Sequence, residues 1–127
     1  MGLITKVQVL AARQLQYEDV PVPELAPDDP EAMARICTMS GLMKDAWESA
    51  VYLPSADGKT VVINRENWRA CLLAHCWVDE NFERLFTTSA EVLALGDTSV
   101  KVLDRLYQVA KRLNVVGAEE EATIEKK

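Results

Sequence analysis

Residues 33 to 52 constrain this chain more than any other stretch. Met33-Ala34-Arg35-Ile36-Cys37-Thr38-Met39 places side chains two apart on one face, the pattern of a half-buried strand. Directly after Ser40-Gly41, Leu42, Met43, Ala46, Trp47, Ala50 and Val51 repeat at three and four residues, the stripe with which a helix buries one side. Ser40 is placed to cap that helix, because its hydroxyl can accept an otherwise unpaired N–H one turn on. A strand, a cap and a helix therefore follow one another with no spacer.

Upstream, Val20-Pro21-Val22-Pro23 cannot be a central strand, since each proline lacks the N–H that a ladder needs; it reads as an edge strand. Ala26-Pro27-Asp28-Asp29-Pro30 supplies turn chemistry, so the two extended segments are expected to pair antiparallel as a small hairpin over about residues 19–39. Before it, Ile4, Val7, Leu10, Ala11 and Leu15 fall near helical spacing and predict a short opening helix over residues 4–15.

Downstream, Pro54 and Asp57-Gly58 end the first long helix, and Val61-Val62-Ile63 predicts a brief strand. Asn64 is the expected N-cap of a helix running to Trp77, with Trp68, Cys71, Leu72 and His75 on one face. Asp79-Glu80-Asn81 reads as a turn, Ser89 as the cap of a short helix to Leu95, and Gly96-Asp97 as the break before the last helix. In that helix Leu103, Leu106, Ala110 and Leu113 keep a three-four spacing with Val102, Val109 and Val116 beside them, an apolar face wider than one neighbour covers. Gly117 is the expected stop. The fold class is mainly α (α+β): one helical domain over residues 1–117 with an N-terminal β-hairpin. Residues 118–127, with Glu119-Glu120-Glu121 and Lys126-Lys127, form a polar tail expected to be disordered or frayed.

Composition narrows the function. At 127 residues and 49% hydrophobic, the chain has enough apolar surface for one core. A formal charge of −6 argues against nucleic acid as the main partner and against anionic membrane surfaces. No window reaches the roughly 18 apolar residues of a bilayer span. Three cysteines, Cys37, Cys71 and Cys76, cannot all pair, and no apolar leader opens the sequence, so a reducing cytoplasm is the expected location.

Enzymatic readings find little support. Cys71, His75 and Cys76 have the spacing of a partial metal site, but a structural zinc needs four ligands and the chain has 1 histidine. A cysteine nucleophile with His75 as base lacks an orienting third group. Asp28-Asp29 and Asp79-Glu80 lie in turn-like sequence, where aspartate serves local hydrogen bonds. No P-loop, G-x-G-x-x-G or G-x-S-x-G occurs, and no cofactor or metal is expected. Trp47, Trp68 and Trp77 read first as core, with partner anchoring as the alternative, Trp77 being the one expected to be exposed.

Four segments, in order, resemble the tail assembly chaperones of long-tailed bacteriophages, small proteins made before the tail tube polymerises. The family's extended "V-x-V-P-E-W" matches Val20-Pro21-Val22-Pro23-Glu24-Leu25. Its "V-R-x-M-[ST]-G-x-x-R-D-x-[FW]-E" is similar to Ala34-Arg35 through Met39-Ser40-Gly41-Leu42-Met43-Lys44-Asp45-Ala46-Trp47-Glu48. Arg69-Ala70-Cys71-Leu72-Leu73-Ala74 to Asp79-Glu80 resembles "R-x-x-L-x-A-x-x-x-x-D-E", and Leu103 to Asn114 resembles the last helix of the family. Leu25 stands where an aromatic is usual, and Lys44 where an arginine is usual.

The resemblance covers about residues 17 to 117 and implies a non-enzymatic chaperone in the host cytoplasm, absent from the finished virion. Such a protein binds the long helical tape measure protein, keeps it from aggregating and helps recruit tail tube protein. Self-association is also expected. Members are often made in two lengths by a −1 ribosomal frameshift. Glu125-Lys126-Lys127 is compatible with a slippery run, which would make this chain the short product. Independently of the family, Trp77, Leu103, Leu106 and Leu113 are the expected partner-binding positions, because apolar anchors at helical spacing suit helix-in-groove docking. Two alternatives remain open on sequence: a small structural component of the phage head or tail, and an adaptor of a host protein.

Overall fold

The structure is a computed structural model that describes residues 2–12 and 15–114. Its elements are α1 (Lys6–Ala11), β1 (Tyr17–Pro21), a 3-10 turn (Pro23–Leu25), β2 (Met33–Cys37), α2 (Gly41–Val51), β3 (Tyr52–Pro54), β4 (Val61–Ile63), α3 (Trp68–Ala74), β5 (Trp77–Val78), α4 (Ser89–Leu95) and α5 (Val100–Asn114). This is the small α+β domain expected, with more helix than strand and a hairpin near its N-terminus.

The hairpin forms where turn chemistry and alternation place it. β1 pairs antiparallel with β2 in the register Tyr17↔Cys37 to Pro21↔Met33, and β1 is an edge strand, where Pro21 breaks no second ladder. Val20, Ala34 and Ile36 point inward and are buried. Across the hairpin, Arg35 faces Asp19 on the other side of the sheet, its Nε donating to Oδ1 at 2.8 Å and Nη2 to Oδ2 at 3.0 Å. Ser40 caps α2 as expected: its Oγ accepts from Met43 N–H at 3.2 Å, while the Met43 sulfur accepts the Ser40 N–H at 3.4 Å.

The helix expected from Asn64 to Trp77 is cut at both ends. β4 pairs with β3, and Asn64 N–H donates to Val51 O at 2.6 Å, so the backbone there is still extended. The Asn64 side chain instead accepts from Glu66 N–H in a local turn, and α3 starts at Trp68 after Asn67, whose φ is 54°. Asparagine tolerates this left-handed geometry. Its side-chain amide donates to Val92 O at 2.9 Å and lies against Gly96, where a Cβ would come within 2.1 Å of Asn67 Oδ1. The glycine is therefore required for the close approach of α4's end to α3's start.

At the other end, His75 caps α3 and the chain becomes extended, with Ile36↔Trp77 and Arg35↔Val78 making β5 the third strand, in the order β1-β2-β5. Trp77 is thus a strand residue. Its pairing satisfies the second edge of β2, which a longer helix would have left open. Two further boundaries differ by a little. Thr88 caps α4 in place of Ser89, with Glu91 closing a capping box, and the opening helix spans only Lys6–Ala11 behind Thr5 and Gln8.

α5 packs along α3 and across the inner face of the hairpin. Ile36, Trp47, Leu72, Leu73 and Leu106 are wholly enclosed, and Trp68, Trp77 and Tyr107 nearly so. The expected stop at Gly117 and the polar tail at 118–127 lie outside the described residues.

Candidate docking surfaces

Three of the four sequence segments singled out above meet the fourth, which lies in α5. Arg105 donates to Pro21 O at 3.0 Å and makes a two-pronged ion pair with Glu24, which lowers the Glu24 carboxyl to about 2. Arg112 pairs with Glu18 at 2.7 Å. Asp104 pairs with Arg69 of α3 at 3.4 Å. Asn114 accepts from Met39 N–H at 2.6 Å and donates to Cys37 O at 3.2 Å, tying the end of the last helix to the strand that precedes α2. Exposed ion pairs contribute little each; two of these bridge α5 to the hairpin and its following turn and one bridges it to α3.

The tryptophans hold the interior of this frame. Trp47 and Trp68 meet edge to face at 5.6 Å, and Trp68 Nε1 donates to the Tyr107 hydroxyl at 3.0 Å. Trp77 packs on Phe86 at 5.3 Å. It is 7% exposed, which corrects the expectation that it lies open to a partner. Leu103 and Leu106 are also buried by the chain's own elements, and only Leu113 of the four expected partner-binding positions is partly open. Sequence spacing identified a sticky face correctly but could not tell that α3 and the hairpin cover it.

The cysteines and His75 have the environment of packing groups. Burial raises all three thiols, Cys37 to about 11, so none is a ready thiolate at neutral pH. Cys76 Sγ donates to Leu72 O at 3.3 Å. His75 Nδ1 lies 2.7 Å from Cys71 O, an acceptor, so this nitrogen carries the proton; burial lowers the His75 pKa and favours the neutral ring. Among the described residues, no three His, Cys, Asp or Glu side chains are grouped to hold a metal ion.

What the surface does offer is of two kinds. The first is apolar: Leu3, Ile4, Val7, Val9 and Leu10, on or just before α1, are 55–97% exposed, and α1 buries no residue. A helix this short is marginal alone, since isolated helices need about 12–15 residues to hold. The second is concave. A cleft of about 480 Å³ opens between α3 and α5, lined by Arg65, Arg69, Lys111, Asp104 and Tyr107. A shallower groove of about 450 Å³ lies between α3 and α4, with His75, Arg84 and Leu93 on its walls. Arg84 is committed there, donating to Ala74 O at 2.7 Å and Phe86 O at 2.9 Å.

Sequence reasoning passed over both. The spacing over residues 4–15 reads as a helix but not as a surface, and Lys111 lies 42 residues beyond Arg69, too far in the chain to register with Arg65 and Arg69 as a cluster. Compared with protein-family models, with curated proteins and with solved structures, the chain finds no match in any of the three. Among the described residues no helix is long and apolar enough to cross a membrane.

Proposed function

We propose that this protein is a non-enzymatic tail assembly chaperone of the long-tailed phage type. It holds the tape measure protein in the host cytoplasm, helps recruit tail tube protein and is left out of the virion. The observation that carries the holding role is the apolar segment Leu3–Leu10, five large side chains exposed together, while the three tryptophans and Leu103 and Leu106 are used internally. Burying each such side chain is worth about 1.5–3 kcal/mol. A segment of this kind suits the apolar stripe of a long amphipathic helix, and many copies along one such helix convert weak contacts into avidity.

The sequence resemblance supports the same reading, and its four segments form one bonded framework around α5. Self-association and a frameshifted longer product belong to the proposal as properties of the family it resembles.

The test is coexpression with a tape measure protein, followed by size-exclusion chromatography with light scattering. A stable complex with several copies per tape measure is expected, and Val7→Asp with Leu10→Asp should abolish it while leaving the chaperone folded. If the tape measure precipitates while this chain elutes alone, the holding role is lost. Recovery of the protein from purified virions would move the assignment to a structural component.

A further inference from the structure

Besides these side-chain surfaces, the fold leaves a backbone edge open. A strand edge pairs with another chain unless proline, charge or a covering segment guards it. β1 carries the charged Asp19 and ends in Pro21. The outer side of β5 is taken by the Val78↔Arg84 bridge and by Leu85 N–H, which donates to Trp77 O at 3.2 Å. On β3, Tyr52 N–H is bonded to Glu48 O and Pro54 has no N–H. β4 has no such guard within Val61-Val62-Ile63, and among the described residues only β3 pairs with it.

The ladder fixes which groups that edge presents. In the register Leu53↔Val62, Asn64 N–H donates to Val51 O and Ser55 N–H to Thr60 O. Antiparallel pairs alternate, so Thr60, Val62 and Asn64 bond inward to β3, while Val61 and Ile63 turn their N–H and C=O groups outward. The strand is also apolar and open: Val61 is 65% exposed and Val62 48%, beside Leu53 at 39%. Two such edges, set antiparallel about a twofold axis at Val62, complement each other. Val61 of each copy meets Ile63 of the other, and each pair exchanges both N–H···O bonds. Flanking charge does not oppose the approach, since Asp57 cancels Lys59 before the strand and Arg65 cancels Glu66 after it, on a chain of formal charge −6. Beyond the strand Lys59 of one copy faces Arg65 of the other, which confines the pairing to residues 61–63.

We infer that β4 is a docking edge for a second copy of this chain, joining two β3-β4 hairpins into one sheet. Leu53 and Val62 of both copies then form a continuous apolar row across it. The contact is one short strand, so the dimer is weak and concentration-dependent. The inference rests on the proposed reading only in giving its self-association a surface; tape measure binding is assigned to α1 and has its own test.

The experiment uses the full-length chain carrying Val7→Asp and Leu10→Asp, so that α1 cannot supply the contact. Mass from light scattering should rise from monomer toward dimer between about 10 µM and about 1 mM. Val61→Pro removes an outward N–H and leaves the bonds to β3, and Val62→Lys sets like charges on the axis; each should hold the chain monomeric with its circular dichroism unchanged. Register is read by cross-linking. In Val62→Cys the two Cα atoms lie about 4.5 Å apart in a non-hydrogen-bonded pair, so a glutathione redox buffer should join two chains, oxidised glutathione taking up the two electrons and leaving as two thiols. In Val61→Cys the two cysteines are two residues out of register, beyond the roughly 7 Å that a disulfide spans, and should stay free. A chain still monomeric at about 1 mM would overturn the proposal. So would equal cross-linking at both positions, or a dimer that survives both Val61→Pro and Val62→Lys, which would give self-association to another surface.

Discussion

α1 and α5 are both amphipathic by spacing, yet they meet opposite fates. In α5, Val102, Leu103, Leu106, Tyr107 and Ala110 are buried against α3 and the hairpin; in α1 no residue is buried. Length is part of the reason, because fifteen residues give α5 four turns to engage two neighbours, whereas six give α1 fewer than two. The larger part is that α5 carries side chains that bond to distant backbone. Asn114 and Arg105 reach Cys37, Met39 and Pro21, and α1 has no such anchor among the described contacts. An apolar stripe marks a surface that wants covering, and polar anchors decide whether the chain covers it itself.

The sharpest way to break this contrast is truncation at matched positions. Leu106→Ala should destabilise by about 2–5 kcal/mol, since the side chain is fully enclosed. Leu10→Ala, at 63% exposure, should change the isolated chain by no more than about 0.5 kcal/mol. Urea unfolding followed by tryptophan fluorescence measures both. A comparable loss for Leu10→Ala would mean that α1 packs on the body after all.

Asn114→Ala tests the anchoring argument at intermediate size. It removes the acceptor for Met39 N–H and the donor to Cys37 O, both partly buried, and should cost about 1–3 kcal/mol. Hydrogen exchange at Met39 should rise with it. Unchanged stability and unchanged exchange there would show that α5 is held by apolar contact alone.

The smallest effect concerns acid. Arg105 and a backbone N–H hold the Glu24 carboxyl at about 2 in the folded chain, against 4.5 without those partners. A depressed folded value stabilises at pH above 4.5, and that contribution is lost as pH falls from there toward 2. Glu24→Gln should therefore flatten part of the acid limb in that window and leave neutral-pH stability almost unchanged, because the pair is exposed. A thermal-melt series across pH, compared with wild type, reads this directly.

The Glu24–Arg105 pair also shows what a reader of the sequence can and cannot see. Both residues lie in segments that were singled out, but nothing in their neighbourhoods foretells that they meet. The Ser40 cap was legible because donor and acceptor lie three residues apart, within one turn. The cap of α4 falls on Thr88, one residue before the Ser89 that the sequence suggests, because Ser89 is an equally good cap by type, although Thr88-x-x-Glu91 carries its own signature. Sequence reading ends the third helix at Trp77; the strand partner that claims this residue, Ile36, lies 41 residues upstream, beyond the reach of local spacing. Of the candidate site, residues 3–10 could be read as apolar but not as uncovered, and the Arg65, Arg69 and Lys111 cleft could not be read at all.

By itself, the sequence determined the edge strand with its prolines, the alternating strand opposite it, the capped second helix and the long apolar face of the last one. Each depends on side chains within a few positions of each other, where backbone geometry dictates which neighbours share a face. Tertiary structure alone decided that Trp77 becomes a third strand, that Leu103 and Leu106 are consumed inside, and that α1 is left outside. Those outcomes depend on contacts between residues far apart in the chain, and burial is a property of what finally covers a side chain, not of the side chain or its local period.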